Sequence, residues 1–314
     1  MASQRDVKDR ISSVKNIQKI TRAMEMVAAA RLRRAEQRIA ALRPYADALR
    51  RMTRQAAKAA GAEATRLPVL SEHESIDRVG LLLVTGDRGL AGGFNSQIIR
   101  AGVRIGDEYG DEGKQLAWYA TGRRGVSSLT FRGRELGGSY TGFADKPAYA
   151  DARSIADDLI TAYVDGRLDR VEIVYNAYIS PLTQEVTRET LLPISQATIA
   201  TEEPGEDEQG AGGEPGGQGG PTQPSRLCAP LVSYEPDPEE ILKRLVPDYV
   251  EISIYRALVE SAAGFFGAQM TAMRSASDNA GEIITDLTLQ MNRVRQAEIT
   301  QEIMEVVAGA EGLN

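Results

Sequence analysis

The chain of 314 residues contains one histidine and one cysteine, His73 and Cys228. They lie far apart and have no fitting neighbours, so the sequence offers no Ser–His, Cys–His or zinc-ligand pattern. A single cysteine also excludes a disulfide bond within the chain. Carboxylates are plentiful, but none stands in a recognisable general acid–base setting. The sequence therefore predicts no catalytic residue, no metal ligand and no cofactor.

Aromatic side chains and long apolar runs are also scarce. Phe, Trp and Tyr make up 5% of the residues, which favours close-packed helices over a large β-sandwich or barrel core. No apolar run approaches the roughly 18 residues of a transmembrane helix, and the N-terminus has no apolar signal segment. A net charge of −7 argues against a general nucleic-acid binder. These features predict a soluble, cytoplasmic chain or one peripheral to a membrane.

Proline is absent after Pro247, so residues 248–314 are predicted to form a C-terminal coiled-coil helix that runs unbroken from about Asp248 to about Ala308. Sixty helical residues would make a rod of roughly 90 Å, too long for a compact core. Steps of three and four separate a seam of small, apolar and amide side chains in its second half: Leu289, Asn292, Gln296, Ile299, Ile303, Val306 and Ala310. A heptad seam predicts a partner helix, and its polar members suggest a second contact.

Residues 1–61 predict the second long helix, because neither glycine nor proline occurs between Val7 and Pro44. A bend is expected at Pro44. The same three–four alternation runs along this segment through Val7, Ile11, Val14, Gln18, Thr21, Glu25, Ala28, Leu32, Ala35, Ile39 and Leu42. A second stripe widens the predicted apolar face with Ile17, Ile20, Met24 and Val27. Two long helices at opposite ends of one chain pair most simply as an antiparallel coiled coil.

Positive charge is concentrated in the N-terminal helix. Residues 1–58 hold fifteen Lys or Arg and five Asp or Glu, with dense blocks at Arg31–Arg38 and Arg50–Arg54. Either this is a solvated helix face, or it is a basic surface for acidic protein loops, a membrane or nucleic acid. The lack of interleaved aromatic residues counts against binding of single-stranded nucleic acid.

Residues 76–247 predict a Rossmann-like α/β domain, because short apolar runs alternate with helical segments. Helices are expected in SQIIRAGVRIGDEYG and DARSIADDLITAYVDG, and a hairpin through Ser180–Gln184. The predicted strands are VGLLLVT (Val79–Thr85), LAWYATG (Leu116–Gly122), RVEIVYNAYIS (Arg170–Ser180) and VTRETLLPI (Val186–Ile194). The fold class is therefore α/β, with the coiled coil added to a Rossmann-like domain.

A glycine-rich turn, Gly86–Asn95, follows the first strand and resembles a phosphate cradle. Its spacing fits neither G-x-G-x-x-G nor G-x-x-x-x-G-K-[ST], and Asp87 would repel a phosphate. A tight structural turn or a protein-contact loop is the better interpretation.

Residues 201–225 interrupt the domain with Gly, Pro and acidic residues. The segment holds six Asp or Glu, no Lys or Arg, and no apolar side chain larger than Ala. Such a composition predicts a disordered insert, because too little apolar surface can be buried to offset the ordering entropy. An acidic docking segment is the alternative.

Three blocks closely resemble the γ subunit of F-type ATP synthases. They are Arg10–Gln37, TGDRGLAGGFN at Thr85–Asn95, and Thr271–Ala310, and they occur in the order found in that family. The insert resembles actinobacterial versions of the subunit. The resemblance implies a non-catalytic central rotor shaft, with its coiled coil inside the ring of α and β subunits. It further implies a foot that holds the ε subunit on the c-ring, at the cytoplasmic face of the bacterial cell membrane.

The resemblance also implies contact residues. Those expected to meet the α and β subunits are Met24, Asp87, Arg88, Arg295, Gln296, Thr300, Glu302 and Glu305. Those expected in the foot, near ε and the c-ring, are Cys228, Leu231, Val232 and Tyr234. Gln269 departs from the family pattern, in which a basic residue is common at this position, and this puts one charged contact to a β loop in question.

Two other function classes remain open from the sequence. One is a Rossmann-like nucleotide-dependent enzyme with a helical oligomerisation arm, which requires measurable nucleotide binding. The other is a basic coiled-coil protein that binds nucleic acid or a membrane surface, which requires steeply salt-dependent association.

Overall fold

A computed structural model describes residues 4–60, 69–70, 75–194 and 237–311. Two long helices, α1 (Gln4–Ala60) and α5 (Pro238–Glu311), flank an α/β domain in the chain order. The other helices are α2 (Phe94–Asp111), α3 (Arg123–Phe131) and α4 (Tyr149–Val164). The strands are β1 (Arg78–Val84), β2 (Gln115–Thr121), β3 (Leu136–Tyr140), β4 (Arg170–Tyr178) and β5 (Gln184–Leu192). The prediction of a mixed α/β protein is confirmed.

Helix α1 runs unbroken through Pro44, where a bend was expected. Proline removes the backbone donor to the carbonyl of Ala40, and both residues are exposed, so water can replace that donor. The predicted seam faces inward: its buried members are Val7, Ile11, Thr21, Ala28, Leu32, Ala35 and Ile39. The second stripe does not, because Ile17, Ile20 and Val27 are exposed. The apolar surface of α1 is therefore wider than the part its own chain covers.

The sheet has the strand order β3-β2-β1-β4-β5, in which β5 alone is antiparallel to its neighbour. Four strands and the hairpin between β4 and β5 agree with the sequence prediction. Strand β3 was not predicted, because its sequence LGGSY has two glycines and no β-branched residue. The described strands thus form a parallel-dominated sheet.

Helices cover both faces of the sheet. On one face, Leu82 and Ile173 pack with α4 and the first turns of α5. On the other face, Leu83 and Val174 pack with α2 and with the middle of α1 and α5. Both cores are therefore shared with the long helices, which makes each long helix a structural part of the domain.

Helix α5 begins at Pro238, ten residues before the predicted start near Asp248, and it contains Pro247. The interior proline is tolerated because Leu242, Val246, Val250 and Ile254 form a buried stripe on one face of the helix. Lys243, whose carbonyl loses its donor, is exposed. Packing against the sheet outweighs the local cost of the proline.

The two long helices run antiparallel. Gln18 of α1 donates a hydrogen bond to the carbonyl of Ser277 on α5 at 3.2 Å. Farther along α1, Glu25 accepts one from Arg274 at 2.8 Å. A buried hydroxyl pair, Thr21 and Ser277, lies between these contacts at 2.8 Å. Polar groups therefore hold the register of the pair.

The last part of α5 extends beyond α1. Counting from the Gln18–Ser277 contact, the start of α1 at Gln4 lies level with about Met291. At 1.5 Å per residue, the remaining twenty or so residues project by roughly 30 Å. The predicted seam is therefore wrong about its partner: Gln296, Ile299, Ile303 and Val306 are exposed and lie beyond the start of α1. Leu289, level with α1, is exposed as well. We call residues 292–311 the α5 overhang.

No helix within the described ranges is long and apolar enough to cross a membrane.

Candidate partner-binding surfaces

The loop between β1 and α2, residues 85–93, lies at the carboxyl end of the sheet. Asp87 projects from this loop and accepts backbone hydrogen bonds from Arg123 at 3.0 Å, Gly142 at 3.1 Å and Ala144 at 3.1 Å. Arg123 begins α3, directly after β2, and Gly142 and Ala144 lie in the loop that follows β3. Asp87 thus joins three adjacent loops, and its carboxylate occupies the amide groups that a phosphate would need.

Asn95 stabilises the same loop from within. Its side-chain oxygen accepts the N–H of Gly86 at 2.8 Å, and its side-chain nitrogen donates to the carbonyl of Arg88 at 3.0 Å. Leu90, at the tip, has φ of 67° and is 63% exposed. The loop is therefore held in one shape while presenting an apolar side chain to solvent.

Replacing Asp87 with alanine should lower the free energy of unfolding by about 1–3 kcal/mol, because three backbone donors, in the segments after β2 and β3, lose their acceptor. Urea denaturation would measure the change. Arg88→Ala is the matched control, since its guanidinium is 68% exposed and lies 3.6 Å from Asp145. The control should cost less than about 1 kcal/mol. Equal losses for the two variants would contradict the structural role of Asp87.

The crevice between β1 and β4 is where open α/β sheets of this strand order bind nucleotides. Here Phe265 of α5 fills it and packs edge-on against Phe94 at 5.6 Å between ring centroids. A Cβ placed on Gly86 would lie 3.0 Å from the Phe265 ring. The cavity beside Phe265, lined by residues at the ends of β1 and β2, has a volume of about 10 Å³ and holds at most a water molecule. The geometry argues against the nucleotide-dependent enzyme.

A basic groove lies between α1, α5 and the loop after β3. Its volume is about 250 Å³, its floor includes Ala35 and Phe266, and its rim carries Arg31, Arg34, Arg38 and Lys146. Asp145 is its one carboxylate, 3.5 Å from Arg31. The predicted basic block therefore faces a concave surface with positive charge in excess, which suits an acidic partner.

The α5 overhang carries the remaining residues that are predicted to contact the α and β subunits. These residues are all exposed: Arg295, Gln296, Thr300, Glu302 and Glu305. The Thr300 hydroxyl donates to the carbonyl of Gln296 at 2.8 Å, and Glu305 accepts from Gln301 at 3.0 Å. The side chains of Arg295 and Glu302 are available to an external partner.

The predicted contacts lie at two levels along the molecule. Asp87 and Arg88 lie near Ala272 of α5, since a Cβ on neighbouring Gly92 would be 3.9 Å from the Ala272 Cβ. Met24, half-buried, lies at about the same level, beside the Glu25–Arg274 ion pair. Arg295 lies a further thirty or so ångströms away by helical rise. A partner that meets both levels must extend along this length of the rod.

The family model described as ATP synthase matches residues 3–313. Among curated relatives, the ATP synthase gamma chain of Rubrobacter xylanophilus is 42% identical, covering 100% of this chain and 99% of that one. The ATP synthase gamma chain of Streptomyces coelicolor is 41% identical, covering 99% and 96%.

The chain belongs to the ATP synthase γ-chain family.

Chains in solved structures of mitochondrial ATP synthases have a similar fold. A chain of the Euglena gracilis mitochondrial ATP synthase aligns with a TM-score of 0.64 at 14% identity, covering 99% of this chain and 94% of that one. A chain from the central stalk and c-ring of the Tetrahymena thermophila enzyme aligns with a TM-score of 0.57 at 22% identity, covering 82% and 99%. At these identities the similarity supports the fold alone.

Some of the contact residues that the γ-chain motifs predict lie within the described ranges, and others do not. Cys228, Leu231, Val232 and Tyr234 lie outside the described residues, as does the 201–225 insert. Two structural roles were not predicted from the sequence. Asn95 holds the loop between β1 and α2 in shape, and Asp87 links that loop to the segments after β2 and β3. The chemistry of an amide or carboxylate beside glycine-rich turns is the signal that could have indicated them.

Within the described ranges, no group of three or more His, Cys, Asp or Glu side chains is placed to hold a metal ion. Half-buried ionisable groups tie the long helices to the sheet. Burial and a hydrogen bond to Glu36 of α1 raise the pKa of Tyr178 on β4, so the phenol stays protonated and donates to that carboxylate. These contacts make the helices and the domain one body.

Proposed function

We propose that this γ-family chain is the central shaft of a proton-translocating F-type ATP synthase, coupling rotation of a c-ring to conformational change in the catalytic β subunits. The α1–α5 pair acts as an antiparallel coiled coil and the α/β domain as a Rossmann-like foot. The chain itself performs no chemistry. It lies at the cytoplasmic face of the cell membrane, peripherally, through its partners.

The α5 overhang carries this proposal. Among the described residues, no helix lies beside this projection of roughly 30 Å, and an isolated helix is stable only where other surfaces cover it. Its exposed apolar residues include Ile299, Ile303 and Val306. Ile17, Ile20 and Val27 add exposed apolar surface on α1. A ring of α and β subunits around the rod would cover both helices.

A shaft must also resist twisting at its base. Phe265 and Phe266 pack at the carboxyl end of the sheet, and Leu242 and Val246 pack on α4 and the sheet near the start of α5. Torque applied to the domain therefore acts on α5 through two separated packed regions. The expected foot contacts to ε and the c-ring, Cys228, Leu231, Val232 and Tyr234, belong to the same proposal.

Co-purification tests the assembly. A tagged chain expressed in its own organism should bring down α, β and ε subunits with the c-ring from detergent-solubilised membranes. Absence of the α and β subunits would overturn the proposal. Micromolar ATP or NAD binding by the isolated chain, measured by titration calorimetry, would favour the nucleotide-dependent enzyme instead.

Replacing Arg295 and Gln296 together with alanine should lower ATP turnover by the reconstituted complex about tenfold. We expect the pair to contribute one charge-assisted hydrogen bond to the β subunit that forms only in the rate-limiting conformation. Its loss would raise the activation free energy by about 1.4 kcal/mol, which corresponds to a tenfold lower rate. The free chain should fold normally, because both side chains are exposed.

Arg104→Ala is the control for this pair, since Arg104 is an exposed arginine on α2, far from the overhang. Turnover with this control should equal that of the wild type. Unchanged turnover with the double variant would remove the gripping role assigned to Arg295 and Gln296.

A further inference from the structure

Leu90 is the one non-glycine residue with a positive φ among those the structure describes, at 67°. A side chain in this left-handed region crowds the backbone, so such residues persist only where something compensates for the strain. Packing within the chain does not compensate here, because Leu90 is 63% exposed. The leucine is both strained and exposed, which a purely structural role does not explain.

The residues around Leu90 hold it in place. Asn95 binds both Gly86 and Arg88, and Phe94 donates its N–H to the carbonyl of Ala91 at 3.2 Å. Asp87 fastens the start of the loop to the loops after β2 and β3. Leu90 is therefore presented in a fixed position, which lowers the entropy lost when a partner covers it.

The position of Leu90 indicates what can cover it. The loop contacts α5 near Ala272, where the helix pair leaves the domain and begins the stretch that we propose the α and β subunits surround. Two arginines flank the tip. The Arg88 guanidinium is 68% exposed, and a Cβ on Gly89 would lie 2.9 Å from the guanidinium of Arg124. An apolar tip between two cations fits an apolar socket rimmed by carboxylates.

We propose that Leu90 is the apolar anchor by which the base of the shaft docks into an acidic-rimmed socket on the α/β head. This rests on the proposed function and goes beyond it. In this proposal Leu90, and not Asp87, is the residue of the loop that contacts the partner, because the Asp87 carboxylate already accepts hydrogen bonds from backbone groups of its own chain. The strain at Leu90 is then the cost of presenting a leucine where glycine would fit more easily.

Leu90→Gly and Leu90→Asn test the anchor, because both residues tolerate the left-handed conformation and both remove the apolar contact. The Tm of each isolated variant should lie within about 1 °C of the wild type or above it, since relief of strain opposes the small loss of buried surface. Equimolar variant and wild-type chains, distinguished by mass, would then compete for a limiting amount of α and β subunits during reconstitution. The wild-type chain should enter the complex about tenfold more often, as expected for a leucine buried on binding.

Phe131→Asn is the control. Phe131 is 93% exposed and lies at the end of α3, which leads back to the amino end of β3, whereas the loop lies at the carboxyl end of the sheet. This variant should compete equally with the wild type for the α and β subunits.

The outcomes separate this inference from the proposed function. If the wild type assembles and the Leu90 variants compete equally with it, the anchor is overturned and the shaft role stands. A fall of several degrees in Tm for both Leu90 variants would also overturn it, by showing that the leucine serves the fold. A wild-type chain that does not assemble at all overturns the proposed function and the anchor together.

Discussion

Gly122→Ala should lower the free energy of unfolding by about 3 kcal/mol or more, a large fraction of the roughly 5–15 kcal/mol that is typical of a folded domain. Gly122 links β2 to α3 with φ of 81° and ψ of 140°, a conformation essentially restricted to glycine. A Cβ at this position would lie 2.1 Å from the backbone oxygen of Thr85. Urea denaturation followed by circular dichroism would measure the loss.

The neighbouring hydrogen bonds prevent an easy adjustment at Gly122. Thr85 donates its backbone N–H to Thr121 at 3.1 Å, and its hydroxyl donates to the same carbonyl at 2.7 Å. The hydroxyl also accepts the N–H of Gly125 at 2.8 Å. Moving Thr85 away from an alanine would break contacts in which both ends are buried.

Gly110→Ala is the matched control for Gly122→Ala. Gly110 lies in α2, and a Cβ there meets nothing within 4 Å. Because alanine favours the helix over glycine, the control should raise stability by up to about 1 kcal/mol. If the two substitutions changed the free energy of unfolding equally, the close approach between the loops after β1 and β2 would not explain the loss expected for Gly122→Ala.

Phe265→Ala should cost about 3–5 kcal/mol of stability, the usual range for a phenylalanine removed from a core. Phe265 is 4% exposed and packs edge-on against both Phe94 and Phe266. Its removal would leave the crevice between β1 and β4 unfilled and weaken the hold of the sheet on α5. Chemical denaturation of the isolated chain would measure the loss, with Phe131→Ala expected to change stability by less than about 0.5 kcal/mol.

The same variant has a functional consequence under the proposed rotor role. A shaft held less firmly by its foot transmits less torque, so coupled ATP synthesis should fall more than the amount of assembled complex does. Phe265→Leu keeps most of the volume and should retain most of both. Normal synthesis per assembled Phe265→Ala complex would show that torque reaches α5 by another route.

Patterned segments of the chain were predictable because each one can be judged from its own residues. The inward seam of α1 follows from a three–four repeat without interruption, and the buried runs of β1 and β4 follow from their length and β-branched content. Strand β3 could not be predicted in this way, because its two glycines contribute nothing to an apolar alternation. Only its pairing with β2 makes it a strand. Likewise the start of α5 was misplaced at Pro247, because tertiary packing of Leu242 and Val246 overrides the local effect of proline.

The candidate contacts divide in the same way. Exposure of Arg295, Gln296 and Thr300 agrees with their expected availability to a partner, although their contacts remain a proposal. Asp87 looked like a contact residue in sequence, but three-dimensional structure places backbone donors from Arg123, Gly142 and Ala144 around it. Those donors are distant in sequence, so the local pattern could indicate a loop-stabilising carboxylate at Asp87 but not the residues that it binds.

By itself, the sequence determined that this protein has two long terminal helices around an α/β domain, because helical and strand periodicities are local properties of the chain. Its motifs also determined the γ-chain family. Only the tertiary structure decided which part of each helix is covered, where the overhang begins, and that Phe265 closes the crevice. Those features depend on which distant surfaces meet, and the seam on α5 shows the difference: its repeat predicts a contact, while the length of α1 decides that α1 leaves the end of α5 uncovered.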